Sequence, residues 1–176
     1  LHMQTLAALY PEADSYDRLL WVCRKMRLSE LDSVEIFRRM VFNILANNTD
    51  DHNKNFTFLM DERGRWRLSP AYDLTYIFNS GGFLPESRHC LMIRGKYDSI
   101  TLEDVMALAA ENGIRKAESI IGEVGKAILE FREIAERNGV EEKWISAIEG
   151  TLNGNLASWG LVNSKPENIS FWADGH

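Results

Sequence analysis

Between Ile36 and Leu68 the apolar residues change period, and that change constrains the fold more than any other feature of the sequence. Ile36, Phe37, Met40, Val41, Ile44 and Leu45 recur at helical spacing and form a wide apolar face. From Phe56 the pattern is that of a strand: Phe56, Phe58 and Met60 fall on one side, Thr57 and Leu59 on the other. Trp66 and Leu68 alternate on a second run, and DERG (61–64) supplies turn chemistry between the two. Between the two regimes lies NTDDHNKN (48–55), acid, amide and cation side chains with almost nothing apolar. The helix has to stop at Asn47-Asn48-Thr49, whose side chains bond to nearby backbone, and a hairpin has to follow.

The other periodic segments are helical. A short helix is expected over 3–9, ending before Pro11, and another over Tyr16–Met26. Asp32 or Ser33 can cap the helix that follows, and Thr101 to Asp104 form a capping box, with Gly113 as a C-terminal stop. Residues 115–137 read as one long amphipathic helix and 141–159 as a last one, with Trp21, Trp144 and Trp159 assigned to the core. AYDLTYIF (71–78) reads as a turn entering a short helix, the Gly81-Gly82 and Pro85 region as a loop, and HCLMIRG as one short strand. The expected class is mainly α with a small β-hairpin insertion. One domain covers 1–160, and a tail (161–176) docks through Phe171 and Trp172.

Composition narrows the function. A formal charge of −6 argues against the whole chain being a nucleic-acid-binding surface. Cys23 and Cys90 stand in unrelated contexts, so no zinc motif exists. No signal peptide and no apolar run of about 18 residues is present, which gives a cytoplasmic expectation with no membrane partner.

The polar stretch then acquires a chemical reading. A hairpin brings its ends together, so Asn55 at its entry and Asp73 beyond its exit should lie close, with the carboxylate of Asp50 beside them. Magnesium suits such hard oxygen ligands, few from protein and the rest from water and substrate phosphate. The D-x4-N spacing of Asp50 and Asn55 equals that of a protein-kinase catalytic loop, where the Asp serves the attacking hydroxyl and the Asn holds metal. His52 alone reads first as a residue tying loop backbone together. IGEVGK (121–126) has the wrong spacing for a phosphate loop and sits in a helical pattern.

NTDDHNKNFTFLM together with LSPAYDL resembles the C-terminal lobe of the HipA-type serine/threonine kinases, toxins of bacterial toxin–antitoxin systems. The D-x-H-x-K-N loop and the Y-D pair of that family are matched by Asp50, His52, Lys54, Asn55, Tyr72 and Asp73. FRRMVFNILANN, HMQTLAAL and RHCLMIRGK resemble the same lobe, so the likeness spans about residues 2–140. It implies a kinase-like helical C-lobe with the hairpin beside the catalytic loop. It also implies ATP and magnesium as cofactors, with Asp50 as base and with His52 and Lys54 bracing the catalytic loop, Lys54 also able to meet a phosphate. Asn55, Tyr72 and Asp73 form the cofactor side, Asn55 and Asp73 being the magnesium ligands. Asp51 falls on the variable position of the pattern and receives no role.

The resemblance further implies a protein substrate such as an aminoacyl-tRNA synthetase. It implies a helix-turn-helix antitoxin of HipB type as partner, with DNA reached only through that antitoxin. The chain starts without an initiator methionine, and nothing before Asp50 reads as a Gly-rich loop between strands, so it is expected to be a fragment that starts too late to contain the N-terminal lobe, nearly inactive alone. Two alternatives stand beside this: a separately encoded, non-catalytic lobe that binds an antitoxin, and a small-molecule kinase with a similar D-x4-N loop.

Overall fold

The computed structural model describes residues 14–78 and 88–162. The chain there is mainly helical with one two-stranded antiparallel sheet. Helix α1 spans Tyr16–Lys25, α2 Glu30–Leu45, α3 Leu102–Glu111, α4 Ala117–Leu129, α5 Phe131–Arg137 and α6 Glu142–Ser158. Strands β1 (Phe58–Met60) and β2 (Trp66–Leu68) pair with Phe58 opposite Leu68. The expected helix over 3–9, the Gly81-Gly82 loop and the tail with Phe171 and Trp172 lie outside the described residues.

Helix α2 is the centre of the domain. It packs against α1, α4 and α6, and its face of Ile36, Phe37, Met40, Val41 and Leu45 is buried, as its period predicts. Its start is earlier than the sequence suggests. Ser29 is the cap, accepting from the Asp32 backbone while Asp32 Oδ2 accepts from Ser29 N. Asp32 therefore closes the box from its inner end. Its other oxygen accepts from Leu68 N at 2.9 Å, which fastens the hairpin to the start of α2. Buried Arg39 makes a second tie, bonding Glu35 at 2.9 Å and the Ser69 carbonyl at 2.7 Å. The exit of the hairpin, at Leu68 and Ser69, is thus held by side chains of α2. That suits a sheet of two short strands, which is marginal alone.

Four expectations are corrected. The long helix over 115–137 is broken at Glu130, and the break turns α5 toward α6, where Arg132 bonds Glu142 and Glu149. Ile134, which falls on the apolar stripe of 115–137, is consequently exposed. AYDLTYIF forms no helix: its backbone bonds to the end of α2 instead, with Ile77 and Asn47 paired through backbone and side chain, and Asp73 takes φ +57. HCLMIRG forms only isolated bridges, Met92 to Asp14 and Tyr16 on one side and Ile93 to Lys96 around a tight turn on the other. Trp144 is 44% exposed, stacking its edge on Phe78, while Trp159 is buried and Trp21 half-buried beneath Arg18.

The other helix signals act as expected. Thr101 and Asp104 form the capping box of α3, and Gly113 takes φ +73 just past its end. Gly125 faces Leu156 and Leu161 at ordinary contact distance for an added Cβ, so it marks where α4 approaches α6. IGEVGK lies within α4.

Candidate functional site

The site is built at the C-terminal end of α2. The helix closes at Ala46, Asn47 takes the left-handed conformation with φ +56, and Asn155 of α6 donates to the carbonyl of Leu45 at 3.2 Å. This fixes the direction in which Asn48 to Asn55 leave the helix. The loop ends in a single 3-10 turn, Asn53–Asn55, before the hairpin.

The expected site residues gather around that turn. Asn55 Nδ2 donates to the Asp50 carbonyl at 3.1 Å, closing the loop on itself and leaving the amide Oδ1 as its donor atom for a cation. Tyr72 Oη donates to the Lys54 carbonyl at 2.6 Å, and the Thr57 hydroxyl bonds the same phenol. The segment carrying Asp73 is therefore pinned against the turn carrying Asn55, across the hairpin, by the residue preceding it. The Asp73 carbonyl accepts from Asn48 Nδ2 at 3.3 Å, while its exposed carboxylate makes no hydrogen bond or ion pair among the described residues. The left-handed backbone at Asp73 is one that Asp and Asn adopt more readily than most residues.

Asp50 points outward, its side chain 58% exposed. Its only polar neighbours among the described residues are weak ones: the Cys90 thiol at 3.7 Å and His52 Nε2 at 4.0 Å. His52 Nδ1 is buried without a partner. Lys54 is exposed, and what it gives to the loop here is its carbonyl, as acceptor for Tyr72. Burial, together with the charges of Asp51 and Asp50, pushes the Cys90 thiol up to about 11, so it stays protonated beside the carboxylate.

Sequence reasoning missed the residue on which the loop turns. Asp51 is fully buried. Its Oδ2 accepts from Tyr16 Oη at 2.7 Å and contacts His89 Nδ1 at 3.0 Å, and its Oδ1 accepts from Cys90 N at 2.8 Å and Leu91 N at 3.4 Å. Tyr16 in turn accepts from Asn43 Nδ2 at 2.9 Å, and Asn48 Nδ2 donates to Asn43 Oδ1 at 3.0 Å. Burial first, and the Asp51 charge second, holds the Tyr16 hydroxyl well above its ordinary range. Its signal in the sequence was only a second Asp in the loop; Tyr16 and His89 are brought to it by the fold alone.

The donor set fits magnesium in kind. Asp73 and Asn55 offer hard oxygens on adjoining segments, and magnesium takes one or two protein ligands with water and phosphate completing the shell. No group of three or more His, Cys, Asp and Glu side chains suited to a metal occurs among the described residues. A cleft of about 420 Å³ between α3 and α4, lined by Leu102, Met106, Ile121 and Gly122, contains none of these residues. Asp50 and Asp73 stand instead on an exposed rim, while the cleft is largely apolar.

A helical domain carrying an acid–amide loop at the root of a short hairpin is the class that fold and site define. Residues 1–131 match the HipA-like C-terminal domain, and the chain belongs to that family. Among solved structures it is similar to a chain of the Shewanella oneidensis MR-1 toxin–antitoxin complex of HipA, HipB and its operator DNA. The identity is 22% and the TM-score 0.59, over 82% of this chain and 34% of that one. The chain thus spans about a third of the length of that relative, and at this identity the likeness is one of fold. No curated protein matches. No helix among the described residues is long and apolar enough to cross a membrane.

Proposed function

We propose that this chain is the helical C-terminal lobe of a serine/threonine protein kinase of the HipA type, in which ATP gives its γ-phosphoryl group to a protein hydroxyl. The observation that carries the reading is the joining of the loop and the Tyr-Asp segment: Asn55 bonded to Asp50, and Tyr72 bonded to Lys54. Three groups of different chemistry then share one rim. Asp50, exposed and lightly bonded, orients the attacking hydroxyl and takes its proton. Asn55 and Asp73 hold the cation, and magnesium when bound neutralises phosphate charge and draws the phosphates into line. Lys54, exposed on the same turn, is placed to meet a phosphate oxygen. His52 stands beside Asp50, its Nε2 4.0 Å from the carboxylate.

The partner proposed is a helix-turn-helix antitoxin of HipB type, with operator DNA reached through it. Support comes from the family and from the Shewanella relative, which is found in complex with HipB and operator DNA. The substrate proposed is a protein of translation such as an aminoacyl-tRNA synthetase. The test is ATP-dependent phosphorylation by the full-length protein, with Asp50→Asn and Asp73→Asn beside the wild type. Full activity in both variants would remove the proposal.

A further inference from the structure

We infer that Asp51 is the positioning residue of this site, setting the place of Asp50 relative to Asp73. The inference rests on the kinase reading above. Every hydrogen bond around Asp51 runs in one direction. Asn48 donates to Asn43, Asn43 to Tyr16, and Tyr16 to Asp51, while the backbone N–H groups of Cys90 and Leu91 donate to it from another segment. Because an ionised carboxylate only accepts, His89 meets it with its Nδ1–H as donor. The carboxylate is thus the common sink of four donors from helix α1 and from residues 89–91.

The far end of the same chain of bonds reaches the other half of the site. Asn48 Nδ2, which bonds Asn43, also bonds the carbonyl of Asp73 at 3.3 Å. One continuous polar path therefore links the backbone of the proposed metal ligand to the residue next to the proposed base. The same anchoring of Cys90 N delivers the Cys90 thiol to Asp50 Oδ1. An amide at position 51 has the same shape but brings two N–H groups to a place where every neighbour donates. At least one donor then faces another, and the loop must move.

The test uses the full-length protein and two variants. Asp51→Asn is expected to lower kcat about 100-fold, the scale of a misplacement near 1 Å, with KM for ATP within about threefold. Tyr16→Phe removes one donor, keeps the ring, and is expected to lower kcat about fivefold. Hydrogen exchange at the Cys90 amide, measured without nucleotide, is expected to quicken at least about tenfold in Asp51→Asn. If Asp51→Asn does not fold, Tyr16→Phe decides through the same two readouts. Both variants keeping kcat per folded molecule within about twofold of wild type, while Asp50→Asn abolishes turnover, overturns the inference. Turnover retained by Asp50→Asn counts against the kinase reading instead, and unchanged exchange at Cys90 then overturns the anchoring by Asp51 on its own.

Discussion

Asp50 and Asp51 share a peptide bond and differ in nearly every other physical respect. Asp50 is 58% exposed and touches only a thiol at 3.7 Å and an imidazole at 4.0 Å. Asp51 is fully buried and accepts from a phenol and two backbone amides, with an imidazole nitrogen against it. The contrast teaches how a loop can be rigid and reactive at once. A carboxylate whose lone pairs are all taken is fixed in place but has nothing left for a substrate proton. A carboxylate with free lone pairs can act, and its position has to be set by something else. On the proposed reading the two tasks fall on neighbouring residues, so that anchoring one side chain anchors the backbone of the other.

The widest separation is expected on replacing each acid by alanine. Asp51→Ala strands the Tyr16 hydroxyl, His89 and the amides of Cys90 and Leu91, and should cost about 3–5 kcal/mol of stability in urea melts. Asp50→Ala should stay within about 0.5 kcal/mol. Equal losses would erase the distinction.

Tyr16→Phe sharpens it by removing one donor and is expected to cost about 1–2 kcal/mol at neutral pH. Its pH dependence follows from sign. The folded state holds the Tyr16 proton above the ordinary value of about 10, so the stabilisation is whole below that pH and is lost as pH rises beyond it. Wild type should therefore lose its advantage over Tyr16→Phe progressively as pH rises above about 10, which unfolding midpoints measured against pH would show.

At Asp73 the backbone rather than the carboxylate carries structure. Asp73→Ala is expected to cost about 1 kcal/mol, since alanine is strained at φ +57. Asp73→Asn should be nearly neutral in the same melt and is the cleaner variant for testing chemistry. Trp144→Ala, on a side chain 44% exposed in the first turn of α6, should cost less than about 1 kcal/mol despite the size of the residue.

What could be read from the sequence was whatever is local and periodic. The apolar face of α2, the capping box at Thr101 and the presence of the hairpin all follow from spacing within a few residues. So does the grouping of Asp50, Asn55 and Tyr72 around one turn, because a hairpin returns to its own start. The misses come from contacts between distant segments. Glu130 carries no breaker residue; the break serves the pairing of Arg132 with acids of α6. Residues 71–78, read as a turn entering a short helix, instead pair Ile77 with Asn47 and spend the Tyr76 hydroxyl on Thr151. Asp51 was unreadable for the same reason, since Tyr16 and His89 stand 35 and 38 residues away from it. A position variable in the motif gave no reason to look there.

The most direct test of the account is phosphoryl transfer by the full-length protein, followed with ATP labelled at the γ-phosphate. Label should appear on a protein serine or threonine in the presence of magnesium, fall at least about 1,000-fold in Asp50→Asn and Asp73→Asn, and vanish with chelator. Labelling that persists undiminished in both variants would contradict it.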